Sequence, residues 1–234
     1  MTALYILDRD GLAPPDGAAK LLPAWRRERH DRLRRETARR ESLCAGLLWR
    51  YAMTESGISP DEPVVTLPAG RPVFAGRDDV FFSLSHSGRY ILCAVGASPL
   101  GADVQEPRAY RPSIERFLHP DERAYLAAVP PDERLAAFYR VWTRKEAWVK
   151  AVSRDSFLSI AERSVMDDSV IRTGSDGPDG LRFFDYTLPG GWPAAVCAAS
   201  EPSLRPVPPA SLTGGVADAH SSHAFTQDRK AYIS

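Results

Sequence analysis

The stretch W-T-R-K-E-A-W-V-K, residues 142–150, sits in a helical segment expected over 131–153. Phe138, Val141, Trp142, Val149 and Val152 recur at helical spacing and form an apolar stripe. Glu146 and Lys150 are four residues apart, so they share one face at the edge of that stripe. The plain reading is a surface i,i+4 salt bridge, which is worth little. The flanking Trp142 and Trp148 favour a covered helix instead, with Glu146 and Lys150 partly desolvated in a cleft. There a carboxylate can ligate a metal and an ammonium can neutralise a phosphate. Lys145 is offset by about 100° from Glu146 and faces elsewhere.

Two earlier segments supply partners. G-A-D-V-Q at 101–105 reads as a strand. Alternate side chains of a strand share a face, so Leu100, Ala102 and Val104 point to a core and Gly101, Asp103 and Gln105 point the other way. Gly101 leaves room for something bulky beside Asp103. An aspartate with a vacant neighbour suits an oxygen-ligated Mg²⁺, which takes few protein ligands and keeps waters. A solvated strand face is the alternative. In S-L-S-H-S at 83–87, His86 ends an alternating strand before Ser87-Gly88, where a histidine among hydroxyls can meet an anion. A structural histidine is the alternative. A carboxylate, a lysine, an aspartate and a histidine together suit a magnesium-bound diphosphate.

Composition bounds the function. The chain has 234 residues, enough for one large domain or two small ones, with 30 basic and 30 acidic side chains. Zero net charge argues against a general nucleic-acid coat. Nine arginines fall within 26–50, but Glu28–Arg32, Asp31–Arg35 and Glu36–Arg40 are i,i+4 pairs of a solvated helix. Positive charge still exceeds negative there, so part of it can receive an anionic ligand. No face combines base-reading or stacking residues, so no nucleic-acid partner is expected. Cys44, Cys93 and Cys197 lack CxxC spacing and read as buried free thiols in a reducing compartment. The N-terminus has no signal-peptide pattern, and no run approaches the roughly 20 apolar residues of a membrane span. A cytoplasmic protein with no membrane contact is expected.

The order of elements is helices then strands, twice. Strand 3–8, helix 24–55 (possible as two helices), extended stretches 63–68 and 71–76 around Gly70, and strands 80–86, 89–96 and 100–105 make the first half, 1–105. Helical stretches 113–127 and 131–153 and strands near 164–171, 181–187 and 194–199 make the second, 106–200. I-L-C-A-V-G-A-S at 91–98 echoes A-A-V-C-A-A-S at 194–200. This suggests an α+β fold of two similar α/β halves packed face to face. From Glu201 the composition turns to Pro, Ser, Gly, Ala and His, so 201–234 is expected to be a disordered tail.

S-L-S-H-S-G-R-Y-I, G-A-D-V-Q and W-T-R-K-E-A-W-V-K, in this order and spacing, resemble the 4′-phosphopantetheinyl transferase superfamily, closest to its monomeric surfactin-synthetase-activating type. The resemblance covers about residues 3–200, and the last motif is its most specific part. It implies two halves related by a pseudo-twofold axis, with the site between them. It also implies Mg²⁺-dependent transfer of the phosphopantetheine arm of coenzyme A to a serine of an apo carrier protein, releasing adenosine 3′,5′-bisphosphate. By position, Asp103 and Glu146 look like the metal ligands, for Mg²⁺ or alternatively Mn²⁺, and Lys150 looks like the phosphate-binding lysine. His86 resembles the contact to the adenosine 3′-phosphate, with Ser85 beside the diphosphate. Arg26, Arg29 and Ser42 match further positions for that phosphate. Gly70-Arg71-Pro72 resembles the segment near the adenine, and Glu122 matches an acidic position near the site. Many relatives carry glutamate where this chain has Gln105. An amide is a poorer Mg²⁺ ligand, so Gln105 is expected to ligate weakly or through water. Either Glu146 or a metal-bound hydroxide would take the proton of the carrier serine. The carrier is expected to dock near 108–118, around Tyr110 and Phe117. The rival readings are a Mg²⁺-dependent nucleotide or diphosphate hydrolase using the same carboxylates, and a coenzyme A-binding protein with a decayed site.

Overall fold

The computed structural model describes residues 1–68, 70–109, 112–152, 157–166 and 180–212. Strand β1 (Ala3–Asp8) leads into the short helix α1 (Ala24–Arg32) and the long helix α2 (Glu36–Glu55). An extended Leu33 separates the two helices, and Gly57, at φ 71°, follows the end of the second. A small hairpin, β2 (Val64–Thr66) and β3 (Pro72–Phe74), precedes β4 (Phe81–Ser87), β5 (Tyr90–Gly96) and β6 (Gly101–Val104). Helices α3 (Pro120–Ala128) and α4 (Arg134–Val152) follow. The fold closes with β7 (Arg182–Leu188), β8 (Trp192–Ala198) and β9 (Ser203–Pro206).

Two sheets carry the molecule. One has the order β4-β5-β1-β9 and the other β6-β8-β7. Strand alternation divides their side chains between layers. Ile91, Cys93 and Val95 of β5, with Tyr5 and Leu7 of β1, face Leu47, Leu48 and Trp49 of α2. The opposite faces, with Leu92, Leu4 and Ile6, meet Leu100, Ala102, Val104, Ala194 and Val196 in a shared inner core. Beyond it Ala195 and Cys197 meet Phe138, Val141 and Ala147 of α4. The order is helix, sheet, sheet, helix: a mixed α/β architecture.

The two sheets also meet edge to edge, at β4 and β6. No continuous backbone ladder joins these strands. Instead the hydroxyls of Ser83, Ser85 and Ser87 accept the backbone N–H groups of Ala102, Val104 and Glu106, at 3.0, 3.3 and 2.9 Å. The S-x-S-x-S alternation therefore stitches one sheet to the other.

The bulky neighbour for which Gly101 leaves room is the backbone of α4. A Cβ at this position would lie 2.0 Å from the Ala147 carbonyl oxygen and 2.6 Å from the Ala151 nitrogen. Lacking one, β6 lets the helix approach until Glu146 and Lys150 stand over Asp103. Asp103 shares the Gly101 face, as the alternation predicts.

Two expectations change. The segment after Glu201 does not begin as a tail. Strand β9 pairs in parallel with β1, and Val207 and Leu212 are buried against α2's core. Pro206 is tolerated because β9 is an edge strand. Residues 213–234 lie outside the described residues. Also, β6, expected as the last strand of the first half, hydrogen-bonds within the sheet of the second. Of the strand expected near 164–171, residues 164–166 are irregular and the remainder lies outside the described residues. No helix among the described residues is long and apolar enough to cross a membrane.

Candidate active site

Asp103 is the hub. It is 2% exposed and accepts three hydrogen bonds. Ser85 Oγ donates to Oδ1 at 2.6 Å, Lys150 Nζ donates to the same oxygen at 2.6 Å, and Gln105 Nε2 donates to Oδ2 at 2.8 Å. Lys150 also donates to the Ala102 carbonyl at 3.1 Å. Four sequence-predicted residues thus share one point, reached from β4, β6, the residue after β6, and α4.

Glu146 lies one helical turn before Lys150 and is half-buried. Burial first, then the charge of Asp103, pushes its carboxyl up to about 7 against the opposing pull of Lys150. Two carboxylates that repel in a partly desolvated cleft form a donor set for a hard cation. Among the described residues no three His, Cys, Asp or Glu side chains gather into a metal cluster. A cation here would therefore rest on Asp103, Glu146, the Gln105 amide oxygen and water. That is compatible with Mg²⁺, which keeps several waters.

A basic pocket adjoins. Arg26 is 4% exposed on α1, and its Nε has no hydrogen-bond partner among the described residues. Ser42 Oγ on α2 is likewise buried without a partner. Trp25 packs edge-on against Trp49 at 5.4 Å and fixes α1 on α2, while the Arg26 guanidinium lies 5.6 Å from the Trp25 ring centre. Burial, then Arg29, pushes Arg26 down to about 10, so it stays charged at neutral pH. A buried guanidinium and a buried hydroxyl, each with an unpaired polar atom, call for an anion. His86 is pushed down to about 4 by burial, then by Arg26, Lys150, Arg29 and Arg9. The same lysine thus borders both the Asp103 hub and the pocket. Arg71 reaches over from the β2–β3 hairpin to the Ala151 carbonyl at 3.4 Å, and burial lowers its basicity. No carboxylate among the described residues pairs with it.

Two residues have other duties. Glu122 is fully buried and receives Lys145 Nζ at 2.9 Å and the backbone N–H groups of His119 and Val165 at 2.7 and 2.9 Å. It ties α3, α4 and the 157–166 segment together rather than offering a free oxygen to a ligand. Lys145 does point away from Glu146's side, into the protein. Phe117 packs at 6.4 Å from Trp142, and Tyr110 lies outside the described residues. The sequence reading missed Glu41 and Arg9, which stand against His86. Neither lies in a motif, and only the packing of α2 on β4 shows them.

The fold and site define a mixed α/β protein with a two-carboxylate, lysine-backed cleft beside a basic pocket. Residues 99–197 match the model of the 4′-phosphopantetheinyl transferase superfamily. A Bacillus subtilis 4′-phosphopantetheinyl transferase is 33% identical over 56% of this chain and 60% of its own length. The transferase psf-1 of Bacillus pumilus is 29% identical over 64% of this chain and 63% of its own. AcpT of Escherichia coli K12 is 37% identical over 48% of this chain and 57% of its own. Over this part the chain is similar to the 4′-phosphopantetheinyl transferase superfamily and to Sfp-like relatives from Bacillus. It spans about three fifths of the length of the curated relatives it matches.

Proposed function

We propose that the protein is a 4′-phosphopantetheinyl transferase that moves the phosphopantetheine group of coenzyme A to a serine of an apo acyl or peptidyl carrier protein. The observation that carries this reading is the convergence of Ser85, Asp103, Glu146 and Lys150 beside a pocket where Arg26 and Ser42 hold unpaired polar atoms. The diphosphate lies over Asp103 and Lys150, and the adenosine 3′-phosphate enters the Arg26, Arg29, Ser42 and His86 pocket. Arg71 stands near the adenine end. Asp103 and Glu146, with Gln105 weakly or through water, would hold Mg²⁺ or alternatively Mn²⁺. When bound, the ion neutralises charge on the diphosphate.

The carrier serine oxygen bonds to the phosphorus that bears pantetheine, and the bond to the adenosine phosphate breaks. Adenosine 3′,5′-bisphosphate leaves, and Lys150 offsets the charge it gains. Glu146, at the edge of the cleft, is the carboxylate placed to receive the serine proton. All the residues named come from one chain, which is the arrangement expected of a monomer.

Intact-mass measurement tests this. With coenzyme A, Mg²⁺ and a panel of apo carriers, at least one carrier should gain the mass of one phosphopantetheine. Coenzyme A consumed equally without a carrier would replace this reading with a diphosphate hydrolase.

The pocket makes a further prediction. A Cβ at Gly46 would lie 2.9 Å from Arg26 Cγ and 2.3 Å from Leu22 Cδ2, so the Arg26 stem rests against bare α2 backbone. Gly46→Ala should displace the guanidinium and weaken coenzyme A binding about tenfold, the effect of one charge-assisted hydrogen bond. Calorimetry should show a smaller loss for 3′-dephospho-coenzyme A.

A further inference from the structure

An acidic side chain stands inside the basic pocket. Glu41 precedes Ser42 on α2, and its Oε2 is 3.9 Å from His86 Nδ1. Its Oε1 is 3.2 Å from the Arg9 guanidinium. Arg9 is anchored in turn, donating from Nε to the Gly88 carbonyl and from its backbone N–H to the Arg89 carbonyl at 2.9 Å. A line of contacts therefore runs from the β4–β5 turn through Arg9 and Glu41 back to the imidazole at the end of β4.

Charged groups reach His86 from every side. Arg9 comes from the turn after β1, Arg26 and Arg29 from α1, Glu41 from α2 and Lys150 from α4. Burial first, and then the cations, oppose a proton on the imidazole, which is neutral while the pocket holds no anion. A phosphate entering the pocket offsets those cations, and Glu41 then becomes the nearest reason for His86 to charge. A carboxylate near Nδ1 also orients the ring: with Nδ1 toward Glu41, Nε2 faces the ligand, and it donates there once the imidazole is charged.

We propose that Glu41 is a positioning residue for His86: its carboxylate, 3.9 Å from Nδ1, turns the ring so that Nε2 faces the adenosine 3′-phosphate and donates to it. This rests on the coenzyme A reading above. Arg9 serves Glu41 and not the ligand.

The test is binding, measured by calorimetry against pH with coenzyme A and with 3′-dephospho-coenzyme A. Affinity for coenzyme A should fall as pH rises through the midpoint of the loaded His86. In Glu41→Gln that midpoint should move down by about 0.7 pH unit, the effect of one charge about 4 Å away in a largely aqueous setting. The phosphate's own titration is common to both proteins and drops out. With the dephospho ligand, or in a His86→Gln background, Glu41→Gln should move nothing. An unmoved midpoint, or an equal shift with the dephospho ligand, overturns the role of Glu41 while leaving the pocket standing. No preference for coenzyme A over the dephospho ligand in the unaltered protein overturns both readings at once.

Discussion

Asp103→Asn should cut phosphopantetheine transfer about a thousandfold, the scale on which loss of a preorganised charge acts in such sites, while the protein stays folded. Asparagine keeps an oxygen that can accept from Ser85 Oγ and Lys150 Nζ, as Oδ1 does now at 2.6 Å each. Its new NH₂ would face the Gln105 NH₂, and rotation of the Gln105 amide removes that clash. The fold should therefore lose only about 1–2 kcal/mol, the scale of one hydrogen bond. What disappears is the negative charge that, with Glu146, would hold the cation and keep Lys150 in place. Mass-spectrometric transfer rates and thermal unfolding read the two effects separately. Unchanged, Mg²⁺-dependent transfer would remove Asp103 from the metal site.

Glu146→Gln should abolish transfer in the same way, with an opposite sign on stability. The Glu146 carboxyl is raised above its free value near 4.5 to about 7. A raised acid binds its proton more tightly in the folded state, so the folded protein holds more protons than the unfolded chain between those values. The stability this group contributes is present below pH 4.5 and lost as pH rises to 7. Glutamine removes that loss. In metal-free buffer the variant should unfold at the same temperature as the parent or higher near pH 7. A lower unfolding temperature there would mean that Glu146 supports the fold rather than the reaction.

Lys145→Met should have the largest effect on stability. Lys145 and Glu122 are both fully buried, and their charged atoms are 2.9 Å apart. Burial lowers the basicity of Lys145, and Glu122 acts to restore it. Lys145 also donates to the carbonyls of Ile160 and Arg163 at 2.8 Å each, and so holds the 157–166 segment on α4. Methionine fills a similar volume but leaves a buried carboxylate with, among the described residues, two backbone N–H partners. Breaking one side of a buried pair costs about 3–5 kcal/mol. For a chain of this size that lowers the unfolding midpoint by roughly 10 °C. Adding Glu122→Gln should restore part of the loss, because an amide needs no counter-charge. Transfer measured well below the new midpoint should persist within a few-fold. Abolished transfer at unchanged stability would instead place the Lys145 ammonium on the substrate.

Much of this was readable along the chain because it rests on short-range periodicity. Alternation along 100–105 put Asp103 on the face opposite Ala102 and Val104, and the four-residue spacing put Glu146 and Lys150 on one side of a helix. The vacancy at Gly101 marked a close approach. Periodicity says which face of an element is covered, but not which distant element covers it. The serines of 83–87 read as small hydroxyls near a ligand, and only the meeting of β4 with β6 shows three of them bonding the partner's backbone N–H groups. Residues 201–212 read as tail because proline and serine bury little by themselves. Once β1 offers an open edge, backbone hydrogen bonds and two apolar side chains, Val207 and Leu212, are enough to hold them. Glu122 carried the right charge for a site, but its neighbour in space is Lys145, so the charge is spent on holding two helices together. The chain by itself determined most of the elements, their faces and the acid–lysine pair. Which charge meets which, Glu41 with His86 and Asp103 with Lys150, was decided by tertiary packing, because those partners lie 45 and 47 positions apart.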